Sequence, residues 1–183
     1  QSDPRRIGEG EPMRILGIDP GLDGGIAMMD GSRLVIEQMP TTGGTKRSID
    51  AGRLSMQFAA WLLDVGIDHA FLGRVGAMPG QGVTSMFSFG EGYGVIKGVL
   101  SALHISYSLV SPQKWQNAIG VAKSKDTKGA AATRAAQLFP GGDFRASARC
   151  RKPHDGMVDA ALIAAYGVRV VGSGSNYRED AEG

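Results

Sequence analysis

Apolar residues open the chain in three short runs, Arg14–Ile18, Gly25–Asp30 and Leu34–Met39, each of strand length. Pro20-Gly21 and Gly31-Ser32 separate them, so the pattern predicts an antiparallel three-strand meander. A Thr- and Gly-rich loop fills Pro40 to Ser48. After Asp50 the apolar positions Leu54, Phe58, Trp61, Leu62 and Val65 recur at helical spacing, and Gly66 is placed to stop the helix. Ile67–Leu72 reads as a buried fourth strand that ends at Gly73-Arg74. A loop of small residues then leads into a long helix that Thr84 or Ser85 can cap and that runs to about His104. Ile105–Val110 is a fifth strand, and Ser111-Pro112 starts a short helix through Trp115. An alanine-rich helix over Lys125–Leu138 stops at Pro140-Gly141-Gly142. The last helix begins near Pro153 and carries Val158, Ala161, Leu162 and Ala165 as an apolar stripe. This order predicts an α/β fold: a five-stranded mixed sheet, three antiparallel strands then two parallel, flanked by helices.

Three features of that pattern carry chemistry. Asp19 ends the first apolar run, directly before Pro20-Gly21 and Gly24-Gly25, so a strand and a tight turn hold one carboxylate at the sheet's edge. Asp155 and Asp159 are four apart at the start of the last helix, which puts both on one face. Gly90, Gly94 and Gly98 also share a helical face. Each glycine costs about 1 kcal/mol against alanine in a helix, so the stripe implies a close approach, either inside the monomer or between subunits.

Composition narrows the class. At 183 residues, with 42% hydrophobic and 21% charged, the chain reads as a single globular domain with a real core. No apolar run reaches the length of a membrane span. Residues 1–12 are polar and precede Met13, and read as a leader or appended remnant; 13–171 form the domain and 172–183 a polar, flexible tail. The lone Cys150 precludes an intrachain disulfide and fits a reducing, cytoplasmic setting, in a bacterium or a phage-infected one. Charge is unevenly spread. Ser111–Pro153 holds nine Lys/Arg against two Asp, leaving the rest of a +2 chain at −5. A basic tract on an acidic chain expects a polyanion. Three carboxylates form an all-oxygen set suited to Mg²⁺, with Mn²⁺ able to substitute. Two such ions about 4 Å apart activate water and stabilise the leaving oxygen of a phosphodiester. The expectation is a metal-dependent nuclease whose Asp19, Asp155 and Asp159 hold the metal, with no nucleotide cofactor.

The sequence also resembles a known family. GIDPGLDGGIA, AMPGQGVTSMFSFGEGYGVIKG, VSPQKWQNAIG, KSKD, LFP and HDGMVDAALIAAYG, in this order, are similar to motifs of RuvC-type Holliday-junction resolvases of the bacteriophage and poxvirus-like branch. The resemblance spans about Met13 to Val170. It implies a ribonuclease-H-like fold, a homodimer, and Mg²⁺-dependent paired nicking of four-way DNA junctions. It matches Asp19, Asp155 and Asp159 to the family's acids, although bacterial members space the last two by three rather than four. It assigns the long helix, with Gly90, Gly94 and Gly98, to the dimer contact. It sends Ala77–Val83, including Met78 and Gln81, toward the junction centre. DNA contacts are expected from Lys46, Arg47, Arg74, Lys114, Lys123, Lys125, Lys128, Arg149, Arg151 and Lys152. His154, beside the acid pair, is an auxiliary or capping residue.

One position departs from the resemblance. Where the family carries a glutamate at the end of the fourth strand, this chain has Gly73, and Glu91 lies too far into the next helix to replace it. A Glu→Gly change, introduced or natural, implies impaired hydrolysis with DNA binding kept. The alternatives are a non-catalytic junction-binding protein and an actin/hexokinase-like ATPase, which shares a strand-borne Asp and glycine hairpin but needs about twice this length.

Overall fold

The computed structural model describes residues 12–74, 82–121 and 123–173. The first three strands are β1 (Arg14–Asp19), β2 (Gly25–Asp30) and β3 (Arg33–Gln38). They form the expected meander, with Ile18 opposite Ile26 and Asp19 opposite Gly25. Helix α1 (Ala51–Asp64) follows, its N-terminus capped by Asp50, which accepts from the Arg53 amide at 3.0 Å. Strand β4 (His69–Gly73) lies parallel to β1, and β5 (Tyr107–Val110) parallel to β4, giving the order β3-β2-β1-β4-β5 in an open sheet. Between them runs α2 (Val83–Ala102). The chain closes with α3 (Pro112–Ile119), α4 (Thr127–Leu138) and α5 (Asp155–Gly172). Among the described residues no helix is long and apolar enough to cross a membrane.

Strand periodicity divides the core. Alternate strand residues point to opposite faces. Ile15, Ala27, Met29, Phe71 and Val110 therefore pack with α3, α4 and α5, while Leu16, Ile18, Ile26, Met28, Ala70 and Leu72 pack with α1 and α2. Both faces are covered, which is why β1 and β2 read as continuous apolar runs rather than alternating ones.

Several boundaries differ from the sequence expectation, each for a local reason. Strand β4 starts at His69, because Asp68 is committed to Arg14: it takes the Arg14 amide and two guanidinium nitrogens at 2.7–2.9 Å. The N-cap of α2 is Gly82, without a side-chain cap bond, and Thr84 and Ser85 lie inside its first turn. Helix α3 continues past Trp115 to Ile119, because Trp115 and Ile119 are both buried one turn apart; Gly120, at φ +76°, ends it in the left-handed conformation. Helix α4 begins at Thr127, because Asp126 is its N-cap and accepts from Gly129.

The Arg14–Asp68 pair gives a pH signature. Burial acts to raise the Asp68 carboxyl, but the hydrogen bonds and charge of Arg14 outweigh it, and its pKa lies below the ordinary 3.8. A carboxylate depressed in the folded state adds stability above its unfolded pKa and loses it as pH falls through the folded value. Asp68→Asn is therefore expected to lower Tm at pH 7, and the deficit should shrink below about pH 4. Parallel melting curves for the two proteins between pH 7 and 2.5 check this; a deficit constant with pH would refute it.

Candidate active site

The C-terminal ends of β1 and β4 meet the N-terminus of α5. Ile15, Gly17 and Asp19 share the face of the sheet that α5 covers, by the two-residue repeat. Contact there is unusually close. A Cβ on Gly17 would overlap the Ala160 carbonyl and the Ala164 amide, and one on Gly25 would meet the Gly156 backbone. A Cβ on Gly156 would in turn overlap Asp23 O and Gly24, and one on Gly167 the Phe71 ring. The glycines around Asp19 are thus a matter of clearance. Gly21, Gly24 and Gly25 are not among the positive-φ glycines, and the turn closes through Gly24 N–H donating to Gly21 O at 2.9 Å. Absent side chains let the helix lie almost backbone to backbone on β1 and β2, which brings Asp159 to Asp19.

Electrostatics record that approach. Asp19 is pushed up to about 7, first by burial and then by the charge of Asp159. Asp159 is pushed up to about 6, by burial and by Asp155, with Lys128 acting in the opposite direction. Two desolvated carboxylates facing each other raise each other's pKa, and a divalent cation is the partner that relieves both. Asp155 differs. Half exposed in the first turn of α5, it is ion-paired to Lys128 of α4. Among the described residues no three His, Cys, Asp or Glu side chains are gathered closely enough to form a metal cage. Asp159 acts on Asp19 and Asp155 acts on Asp159, with Asp155 also paired to Lys128 of α4. In donor type and mutual repulsion the three acids suit a hard divalent ion; in arrangement the set is open. An open cleft beside the acids is lined by Gln116, Thr127, Lys128, Ala131, Asp155, Val158 and Asp159.

Neither a family model nor a curated protein sequence matches this chain. Solved structures do. RuvC of Thermus thermophilus in complex with a Holliday junction aligns with a TM-score of 0.58 at 14% identity, covering 89% of this chain and 97% of that one. A second T. thermophilus RuvC structure gives 0.56 at 14% identity, over 89% and 98%. The yeast mitochondrial Holliday junction resolvase gives 0.50 at 16% identity, over 87% and 79%. This chain has the RuvC-type, ribonuclease-H-like fold.

On that RuvC-type frame the expected residues fall into three groups. The first is gathered at the start of α5: Asp155, Asp159 and Lys128 line the cleft, Asp19 lies within reach of the charge of Asp159, and His154 precedes Asp155. His154 is the N-cap of α5, its Nδ1 accepting from the Met157 amide at 3.3 Å. The second lies on exposed surface: Lys46, Arg74, Lys114, Lys123, Lys125, Arg149, Arg151 and Lys152. Arg47 has a further task, donating to Asp23 at 2.9 Å and to Leu22 O at 2.8 Å, and so bracing the turn that follows Asp19. The third, Met78 and Gln81, lies outside the described residues, as does the rest of Ala77–Val83 apart from Gly82 and Val83. Within the basic tract, Arg145 is paired with Asp143, and Arg134 donates to Ile119 O while keeping its charge.

Gly73 is the last residue of β4. Leu72 pairs with Ile18, so Gly73 stands beside Asp19, on the α5 face with Phe71. A Cβ there would lie 3.1 Å from Pro20 Cδ and 3.5 Å from Ile163 Cδ1. Ile163 is one turn beyond Asp159 on α5. A side chain at position 73 would therefore start among the acids with little room to spare. Sequence reasoning missed Gln116 and Thr127. Helical spacing of Trp115 and Ile119 was the available signal, since carrying α3 to Ile119 sets Gln116 at the edge of the buried face.

The glycine stripe of α2 answers one open question. Among the described residues a Cβ on Gly90, Gly94 or Gly98 would meet nothing within 4 Å, so these glycines serve no close packing against the described part of the monomer. Val83 and Phe87 on the same helix are 85% and 74% exposed. The face is large, apolar and open.

Proposed function

We propose that this chain is a structure-selective endonuclease of the RuvC type. It binds four-way and related branched DNA as a homodimer and nicks paired strands by divalent-metal-dependent hydrolysis. In the chain as it stands hydrolysis is impaired by Gly73. The observation that carries the reading is the meeting of Asp19 and Asp159 at the β1–α5 contact, where burial raises both, Asp159 adds to the rise of Asp19 and Asp155 to that of Asp159, together with exposed Lys and Arg side chains. Asp19, Asp155 and Asp159 would hold the metal, Mg²⁺ or Mn²⁺ and two ions per site. When bound, such ions activate water and stabilise the leaving oxygen.

The chain's own groups supply the rest. Lys114, Lys123, Lys125, Arg149, Arg151 and Lys152 draw the phosphate backbone over the cleft, which makes binding steeply salt-dependent. Burial of Asp19 and Asp159 keeps the acids in a poorly solvated setting, where their charge acts strongly on a bound phosphate and cation. Arg47 holds the turn beside Asp19, and the Gly17, Gly25 and Gly156 contacts hold α5 against it.

Gel shifts and nicking assays on four-way junction, flap and plain duplex, with Mg²⁺ and with EDTA, test the reading. Junction preference with weak Mg²⁺-dependent nicking is expected. Equal affinity for duplex and junction would reject it. Gly73 favours one further reading, a junction-binding protein without hydrolysis; it predicts the same gel shifts and no nicking under any metal.

The dimer is assigned to α2. Val83, Phe87 and the Gly90, Gly94 and Gly98 stripe form an apolar face that a second copy can approach closely. Phe87→Glu is expected to convert a dimer into a monomer in sedimentation equilibrium, leaving far-UV circular dichroism unchanged. A variant that sediments as the parent does would remove α2 from the interface.

A further inference from the structure

We propose that Lys128 is a displaceable counter-ion. It holds Asp155 before a cation arrives and, once displaced, turns to the DNA phosphate, so that metal and DNA binding reinforce each other through one side chain. This rests on the reading of Asp155 as a metal ligand and adds to it a residue that couples the two ligands.

Four observations carry it. Lys128 is ion-paired to Asp155, and the side chains are 76% and 53% exposed. Exposed ion pairs contribute little and exchange readily, so this one is a latch and not a structural brace. Second, Asp155 and Asp159 line one cleft and the charge of Asp155 acts on Asp159, which in turn acts on Asp19, so the carboxylate that Lys128 holds belongs to the acid cluster. Third, Lys128 is the only cation among the residues lining that cleft, facing Asp155 and Asp159. Fourth, its backbone is fixed. Asp126 caps α4 through Gly129 N–H at 2.9 Å, and Ala131 and Ala135 are buried in the core, so the movement is confined to a flexible four-carbon stem.

The physical logic is competition. A monovalent ammonium and a divalent ion seek the same carboxylate, and the divalent ion gains more from the clustered acids. The freed ammonium remains at the cleft mouth in the first turn of α4, with exposed Lys123 and Lys125 just upstream, where a phosphate oxygen is the next available anion. Coupling of this kind is reciprocal: whatever factor DNA gives to metal affinity, metal gives to DNA affinity. Lys128 is a positioning residue in the metal-free protein and a phosphate contact in the loaded one.

The test measures Mn²⁺ binding by calorimetry on the full chain, alone and with an uncut four-way junction. The parent, Lys128→Met, Asp155→Asn and the double variant are compared at one ionic strength. Lys128→Met is expected to bind Mn²⁺ alone several-fold more tightly than the parent, because the competitor is gone. The junction should tighten Mn²⁺ binding by about 5–10-fold in the parent and clearly less in Lys128→Met. Removing Lys128 should have no effect once Asp155 is Asn. Lys128→Gln, read in parallel, separates loss of charge from loss of the long stem. Mn²⁺ affinity unchanged or weaker in Lys128→Met, or undiminished tightening by the junction, overturns the proposal while leaving the metal site standing. A parent chain that binds no Mn²⁺ would bring down the metal site and this proposal together.

Discussion

Gly73→Glu is expected to raise the Mg²⁺-dependent nicking rate on a four-way junction by about 100-fold or more, with junction affinity nearly unchanged. The size follows from what a missing charged group at a reacting centre ordinarily costs, about 10²–10³ in rate. The location follows from register. Position 73 stands next to Asp19 on the face that α5 covers, so a carboxylate there joins the acids and not the opposite core. The tight 3.1 Å approach to Pro20 Cδ requires that ring to give by a few tenths of an ångström, so a modest fall in Tm accompanies the gain. Gly73→Gln is the matched control: similar volume, no charge, no gain. Single-turnover assays on labelled junctions measure the rate, and an unchanged rate in Gly73→Glu would defeat the account of this chain as an impaired nuclease.

Gly17→Ala is expected to be among the most damaging single methyl groups in the described part of the protein. The added carbon would overlap the backbone of α5 at Ala160 and Ala164, and backbone cannot step aside as a flexible side chain can. Overpacking of this kind costs about 3 kcal/mol or more, a Tm loss of roughly 10 °C for a domain of this size. The helix must lift from β1, carrying Asp159 away from Asp19, so metal affinity should fall with stability. Gly98→Ala is the counterpart. Among the described residues nothing lies within 4 Å of that position, and inside a helix the change should stabilise the monomer by up to about 1 kcal/mol. Thermal melts of both variants decide the matter; equal and small effects would mean that the close helix–strand contact is not what the glycines serve.

That contrast shows how far the sequence could be read. Strands β1 to β3 were legible because short apolar runs separated by Pro-Gly and Gly-Ser have few other solutions. The position of Asp19 at a strand end, and of Asp155 and Asp159 at a helix start, was legible for the same local reason. What glycine does was less so. At Gly24 the residue type pointed to a turn and the turn is the need, since an added Cβ would overlap Asp19 O and the Gly21 backbone. At Gly25 the need is room for a helix about 130 residues later in the chain. At Gly90, Gly94 and Gly98 it pointed to close packing, and the structure leaves that face open. A glycine records that space or freedom is needed; only the neighbours tell which. Gln116 and the Lys128–Asp155 pair were out of reach in another way, because they depend on how α3, α4 and α5 are set against one another.

The split core bears on how such a protein comes into being. Asp19 is made early, and the hairpin that holds it needs only local contacts. The partners of Asp19 lie on α5, which is synthesised well after β1 and must then fit a face whose glycines admit nothing bulkier. Contacts so distant in sequence form late. On a growing chain α3 and α4 lack the helix they pack against until α5 has emerged. The acids and the helical layer beside them are therefore completed together.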